Sequence, residues 1–153
     1  MNLVSKILLT LVLLSTPFFG WSSTENKSDV EYLNSKPANN KLPFSEAVRV
    51  GNTLYLSGQV GFDSKAGKLA PGGFVPEARQ TMENIKTTLE KYGYSTKDVV
   101  KCLVMLTDIK DFAQFNEIYT EYFTPPYPAR SAFAVSELAI GSLVEVECIA
   151  IVD

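Results

Sequence analysis

The sequence predicts an α+β fold in which a sheet of about five strands carries two helices on one face. Two segments repeat apolar residues at intervals of three and four, which is the spacing of amphipathic helices. Several shorter aliphatic runs, bounded by glycine and polar residues, have the composition of strands. Their order along the chain is ββ-α-β-α-ββ. A length of 153 residues suits a single domain.

The chain begins with a segment typical of export. Lys6 supplies a positive charge, and the aliphatic run from Ile7 to Leu14 is shorter than a membrane-spanning helix. Small residues follow at Ser22 and Ser23, where a signal peptidase can cut. We predict a signal peptide over residues 1–23 and a periplasmic or secreted protein, with no stable membrane span after processing. An uncleaved N-terminal anchor is the alternative.

A linker and a hairpin are predicted next. Residues 24–41 are rich in Ser, Asn, Lys and Glu, a composition that indicates a flexible linker. The folded domain is predicted to span residues 42–153. It opens with strands at Ala47–Val50 and Thr53–Val60, joined by a tight turn at Gly51-Asn52.

Two amphipathic helices follow, with an apolar strand at Val99–Leu106 between them. The first is predicted from Pro76 to Tyr92, and Gly93 is expected to end it as a left-handed cap. The second is predicted to start with a capping box between Asp111 and Gln114. The apolar stripes, read as core, comprise Ala78, Met82, Ile85, Leu89 and Tyr92 in the first helix and Phe112, Phe115, Tyr119 and Tyr122 in the second.

Two final strand-like runs, joined by a short polar turn, contain charged residues. Arg130 stands among small residues in the first run, and Glu145 and Glu147 alternate with aliphatic residues in the second. Burying a charge is unfavourable unless it is paired or faces a pocket. Arg130 is therefore a candidate carboxylate ligand, or one half of an ordinary ion pair. If Val135 pairs opposite Val144, Arg130 and both glutamates share one face, whereas a shift of one residue separates them.

The composition excludes several classes of function. The net charge of −3 provides no basic stripe, so a nucleic-acid partner is not expected. The chain has no His and no Cys/His cluster, so no metal site is predicted. Cys102 and Cys148 both fall in apolar strand patterns, and they can pair in an oxidising compartment or remain as buried thiols.

The strand at Val99–Leu106 is apolar on both sides, which predicts self-association. Two helices cover only one face of a sheet, so its other face needs a second cover. We expect a homo-oligomer in which copies of the chain cover that face.

Three stretches together resemble the RidA (YjgF) family. They are LYLSGQVG at residues 54–61, DIKDFAQFNEIYTEYF at residues 108–123, and PARSAF at 128–133 with VEVECIA at 144–150. The resemblance runs from about Pro43 to Val152. It implies a chorismate-mutase-like fold, assembled as a homotrimer with ligand clefts between subunits. It also implies hydrolysis of reactive 2-imino or enamine acids to 2-keto acids and ammonia, without a cofactor or metal.

The resemblance also implies residue roles. Arg130 would bind the substrate carboxylate, and Glu145 would lie near the hydrolytic water, which leaves Glu147 as structural support. The substrate-binding positions would be Phe44, Ser57, Gly58, Asn116 and Ala132. At the first of these positions the family often has Tyr, whose hydroxyl Phe44 lacks. The alternative function is a non-catalytic module that binds small carboxylates or acts like a chaperone.

Overall fold

The computed structural model describes residues 29–34 and 43–153. The predicted signal peptide, residues 1–23, lies outside the described residues, as does most of the predicted linker, residues 24–41. Across the described ranges, no helix is long and apolar enough to cross a membrane.

A mixed sheet of seven strands with two helices on one face confirms the predicted fold class. In chain order the elements are β1 (Val30–Leu33), β2 (Ala47–Val50), β3 (Thr53–Leu56), β4 (Gln59–Val60), β5 (Phe62–Asp63), β6 (Lys68–Leu69), α1 (Phe74–Lys91), β7 (Val99–Leu106), α2 (Phe112–Tyr122), β8 (Ala129–Ala134) and β9 (Val144–Ile151). The sheet order is β1-β2-β3-β9-β7-β8, and β4 also pairs with β9. Strand β8 is parallel to β7, and the other pairs are antiparallel. Strands β5 and β6 form a separate small hairpin.

Helix α1 begins two residues before its predicted start at Pro76 and ends one residue before its predicted end at Tyr92. Its predicted stripe is buried against the sheet from the first turns to Leu89. Gly93 has a φ of 87°, and the Tyr94 N–H donates to the Leu89 carbonyl at 2.9 Å. The predicted left-handed cap is therefore confirmed.

Helix α2 starts without the predicted capping box. A short 3-10 turn at Ile109–Asp111 precedes the helix, and Asp108 caps this turn by accepting a hydrogen bond from the Lys110 N–H at 2.9 Å. Asp111 already has helical backbone angles, and its side chain makes no capping hydrogen bond. The predicted pairing of Asp111 with Gln114 is wrong because the chain enters the helix through this turn.

Strand β1 lies inside the segment that was predicted to be a flexible linker, so that prediction is wrong at residues 30–33. The strand pairs with β2, with Glu31 opposite Arg49 and Tyr32 opposite Val48. The polar composition of this segment gave no sign of a strand. An edge strand gains backbone hydrogen bonds from its neighbour and needs few buried apolar side chains.

The last two strands are not neighbours, so the pairing of Val135 with Val144, the condition for a common face, does not occur. Strand β7 lies between them, and its last residue, Leu106, meets both: it pairs with Val144, and its carbonyl accepts from the Val135 N–H at 2.8 Å. The connection through α2 returns β8 parallel to β7, on the side away from β9. Alternation along a strand predicts its faces but not its neighbour.

Arg130 and Glu145 therefore lie on opposite faces of the sheet, which corrects the expected common face. Arg130 is in register with Cys102, whose side chain is buried beneath the helices. Glu145 is in register with Met105 on the open face, and Glu147 shares that face. The separation follows from the pleat, because residues side by side on neighbouring strands point to the same face.

A disulfide bond between Cys102 and Cys148 settles the question that the sequence left open. The two residues are opposite each other on β7 and β9, and both are buried in the core. The bond therefore joins the two central strands of the sheet from the helix side.

The sheet face opposite the helices exposes large apolar side chains. They are Val30, Tyr32, Tyr55, Phe133 and Ile151. The registers place them on one face across the width of the sheet. No element within residues 29–34 and 43–153 packs over them. Self-association through this face stays a prediction, and the face is large and apolar enough to need it.

Candidate active site

Arg130 borders a small cavity between β8, helix α2 and the segment that joins them. The cavity has a volume of about 300 Å³. Its lining residues are Asn116, Tyr119, Thr120, Tyr127, Pro128 and Arg130. This volume is at the lower end of the range for small-molecule sites, and the cavity contains one permanent charge, the guanidinium.

Helix α2 holds the guanidinium of Arg130 in place. The Arg130 Nη2 donates a short hydrogen bond to Oδ1 of Asn116. Three rings of the same helix lie next to the guanidinium carbon, with centroid distances of 4.6 Å to Tyr119, 5.6 Å to Phe112 and 5.8 Å to Phe115. Aromatic faces attract a cation and restrict its motion without neutralising it.

Arg130 has no carboxylate partner within the part of the chain that the structure describes. The alternative of an ordinary ion pair with Glu137, Glu145 or Glu147 is therefore wrong for this chain taken alone. An arginine has five N–H donors, and only one hydrogen bond is made here, to Asn116. The remaining donors are available to a bound carboxylate.

Tyr119 is the residue of this cavity that sequence reasoning assigned only to the core. Its side chain is 4% exposed, and its hydroxyl has no hydrogen-bond partner among the described residues. Burial raises the pKa of the hydroxyl to about 12, so it stays protonated. The sequence could have indicated this position, because Tyr119 follows Asn116 by one turn of α2. Residues one turn apart lie on the same side of a helix and can contact the same group, here Arg130.

Glu145 lies on the open face, over the backbone of Gly58. A Cβ atom at position 58 would lie 2.0 Å from Oε1 of Glu145, so a side chain there would displace the carboxyl. Glycine at position 58 therefore provides the space that the Glu145 carboxyl occupies. Strand β4 follows at once and pairs Val60 with Glu145, which fixes the two segments against each other.

The environment of Glu145 makes its carboxyl a weaker acid, and its carboxylate a stronger base, than that of an ordinary glutamate. Burial raises the pKa of its carboxyl, and repulsion from Glu147 on the same strand raises it further. The pKa is therefore closer to neutrality than that of an exposed glutamate. Such a carboxyl exchanges protons with water more readily near neutral pH.

The other predicted site residues have separate positions. Ala132 follows Arg130 on the same face of β8, in register with Val104. Ser57 donates its hydroxyl hydrogen to the Ser45 carbonyl at 2.6 Å, which ties the chain before β2 to the end of β3. Phe44 is 53% exposed at the start of the domain and does not line the Arg130 cavity.

The predicted residues thus form two groups on opposite faces of one sheet. Arg130, Asn116 and Ala132 are on the helix side, whereas Glu145 and Gly58 are on the open side. Strand β7 stands between β8 and β9, so a small ligand cannot contact Arg130 and Glu145 of one chain at once. Each group can bind or activate only part of a ligand.

Comparison with known proteins places these features in a family. The family model described as Endoribonuclease L-PSP matches residues 35–152. A protein of Mus musculus named 2-iminobutanoate/2-iminopropanoate deaminase is 48% identical over 109 residues, which cover 71% of this chain and 81% of that protein. The solved structure of RidA from an Antarctic Psychrobacter is 41% identical, with a TM-score of 0.70 over 82% of this chain and 98% of that one. TdcF of E. coli, solved with bound serine, is 30% identical, with a TM-score of 0.69 over 80% and 94%.

Replacing Glu147 by Gln is expected to lower the pKa of Glu145, because it removes the neighbouring negative charge. The pKa should stay above that of an ordinary glutamate, because burial contributes the larger part of the shift. Carboxyl carbon NMR across a pH titration measures both values. Glu137→Gln, at an exposed position, is the matched control. An unchanged Glu145 pKa in Glu147→Gln would contradict this account.

Proposed function

This chain belongs to the Endoribonuclease L-PSP family, the family of the RidA (YjgF) proteins, and from that premise we propose that it is an imine deaminase. It hydrolyses reactive 2-imino and enamine acids to 2-keto acids and ammonia. The observation that carries the proposal is Arg130, a guanidinium without a carboxylate partner in the described chain, at the wall of a cavity of about 300 Å³. The name of the mouse relative and the serine bound to TdcF support a small substrate with a carboxylate.

Arg130 binds the carboxylate of the substrate. Asn116 occupies one N–H of the guanidinium and fixes its plane, so that the remaining donors can meet both carboxylate oxygens. The aromatic rings of Phe112, Phe115 and Tyr119 keep water away from one side of the cation. Exclusion of water strengthens a charge-assisted hydrogen bond.

Glu145 orients the water that attacks the imine. A protonated imine is already electrophilic, so the protein has to hold the substrate and direct a water molecule. The water oxygen bonds to the imine carbon while Glu145 accepts a water proton, which gives a carbinolamine. Glu145 then passes that proton to the nitrogen, and the C–N bond breaks as the hydroxyl gives its proton to Glu145 and the C=O bond forms, which releases ammonia. An enamine first takes a proton on carbon to become the imine.

We propose a homotrimer with clefts between subunits, because the mechanism needs an assembly that brings Arg130 of one copy to Glu145 of another. Arg130 and Glu145 lie on opposite faces of the sheet, so one copy supplies the carboxylate ligand and another supplies the water-orienting group. The exposed apolar face around Tyr55 and Ile151 supports the same assembly, because association would remove it from water. Self-association and activity are therefore linked.

The word endoribonuclease in the family description names a different activity. Binding of a polyphosphate backbone usually needs several cations. The cavity of this chain is lined by one, Arg130. RNA is therefore a useful negative control in the assay below, and no cleavage is expected.

Purified protein should speed the decay of imines that an amino-acid oxidase generates, as measured by trapping the remaining imine with semicarbazide. Arg130→Ala should lower kcat/KM by about 10- to 100-fold, because a charge-assisted hydrogen bond to the substrate is lost. Arg130→Lys should be intermediate, since lysine keeps the charge without the planar fork. Arg79→Ala, which breaks an exposed ion pair with Glu121, is the matched control. Binding of 2-keto acids without imine hydrolysis would instead favour the non-catalytic carboxylate-binding module.

Co-expression of Arg130→Ala and Glu145→Ala subunits should give more activity than the sum of the two separate variants. If each site takes Arg130 from one copy and Glu145 from the next, random mixing leaves about a quarter of the sites intact. The kcat of the purified mixture, per site, measures this fraction, and the double variant mixed with wild type is the control for dilution. Activity no higher than the sum of the separate variants would contradict a shared site.

Export to an oxidising compartment, after loss of residues 1–23, is part of the proposal. The apolar start of the chain and the Cys102–Cys148 disulfide support it, because disulfides persist mainly outside the cytoplasm. The full chain expressed in a Gram-negative host should be recovered from the periplasm with the mass of a shortened chain and no free thiols. Reduction should lower the free energy of unfolding by about 2–5 kcal/mol. A mass that retains Met1 would contradict cleavage.

A further inference from the structure

Glu77 is a buried carboxylate that the proposed reaction does not use. It lies in the first turn of α1, and it is 4% exposed. Its Oε1 accepts a hydrogen bond at 2.5 Å from the backbone N–H of Leu143. A carboxylate is expensive to bury, and a hydrogen-bonding task explains why it is kept inside.

Leu143 is the residue immediately before β9. Its N–H donates to Glu77, and its carbonyl accepts from the Thr107 N–H at 3.0 Å and from the Thr107 hydroxyl at 3.3 Å. The start of β9 is thus held from both sides. Glu145 is two residues further along, about 7 Å in an extended strand, so a shift of Leu143 is transmitted to it.

The backbone of Glu77 holds a second segment next to the site. Gly61 follows β4, and a Cβ atom on Gly61 would lie 2.5 Å from the Glu77 carbonyl oxygen. The two backbones therefore touch. Strand β4 in turn pairs Val60 with Glu145. One residue of α1 thus contacts both segments that border the Glu145 carboxyl, through its side chain at Leu143 and through both side chain and backbone at Gly61.

We propose that Glu77 is a positioning residue that keeps Glu145 over Gly58, by fixing the start of β9 and the end of β4 against α1. The inference rests on the proposed function, in which Glu145 orients the attacking water. Glu77 is on the helix side of the sheet and does not touch substrate. Its effect is therefore on the water-activating step and not on binding of the carboxylate by Arg130.

Two substitutions separate the hydrogen bond of Glu77 from its charge. Glu77→Gln removes the charge and keeps an oxygen that can accept from Leu143. Glu77→Asp keeps the charge, but its shorter side chain cannot reach that N–H. The Asp variant should lower kcat by about 10- to 100-fold, as expected for a misplaced reacting group. It should leave the dissociation constant of a 2-keto acid within about twofold, and the Gln variant should retain most of the wild-type kcat.

The control is Glu83→Asp on the same helix, since Glu83 pairs with Lys86 at 3.5 Å and is half-exposed. A loss of kcat in the Gln variant as large as that in the Asp variant would overturn the proposal, because the hydrogen bond to Leu143 that Gln keeps would then not account for kcat. Parallel loss of kcat and of keto-acid binding would also overturn it, since a general loosening of the fold would then explain both. If Glu77→Asp does not fold, Thr107→Val is the second variant, because it removes the hydroxyl contact to Leu143. It should likewise lower kcat and leave the dissociation constant of a 2-keto acid unchanged.

A readout independent of activity separates failure of this inference from failure of the proposed function. The charged groups sharing the open face with Glu145 are Glu147 on β9 and Lys101 on β7. Both are unchanged in the Glu77 variants. Carboxyl NMR should show that the Glu145 pKa falls toward its ordinary value in Glu77→Asp, because the carboxyl moves into water. In Glu77→Gln the Glu145 pKa should stay as in the wild type. If wild type does not hydrolyse imines, this titration alone decides, and an unchanged Glu145 pKa in Glu77→Asp overturns the inference.

Discussion

The pairing of β7 with β9 is the interaction on which the rest of the structure depends. It sets Cys102 against Cys148 on the helix side, where a disulfide joins them, and it sets Met105 against Glu145 on the open side. Because a pleated strand alternates its faces, this one register decides which residues of β9 enter the core and which remain available for chemistry. Strand β8 takes its register from β7, so the direction of Arg130 follows from the same pairing.

Helix α2 holds the guanidinium of Arg130 in place without neutralising its charge. A buried or half-buried guanidinium normally pairs with a carboxylate, which would satisfy it and block a ligand. Here the neutral oxygen of Asn116 and the aromatic faces of the helix stabilise the cation and leave its charge uncompensated. The arrangement suits the small carboxylate that we propose as ligand, at the strand that ends the sheet.

Because Arg130 and Glu145 lie on opposite faces of the sheet, the proposed activity depends on the proposed assembly. A chain that carried both on one face could act alone, but here the proposed carboxylate ligand, Arg130, and the proposed water-orienting group, Glu145, lie on two faces. The open face is also where apolar side chains are exposed, so the contact that hides them is the contact that can complete a site. On the same face, Gly58 leaves space for the Glu145 carboxyl, and on the helix side Glu77 of α1 accepts the N–H of Leu143, two residues before Glu145.

The sequence by itself determined the two helices, the first hairpin and the α+β class, because these depend on periodicity and turn residues within short stretches. Its motifs were specific enough to indicate the family, and they pointed to Arg130, Asn116, Glu145 and Gly58. Only the tertiary structure decided that β8 stands beside β7, that the two charged residues face apart, and that the two cysteines bond. Each of these is a relation between segments distant in the chain. The alternation of apolar and polar residues along a strand indicates which side chains share a face. Which strand lies beside it, and in which register, depends on backbone pairing, to which side-chain patterns contribute little.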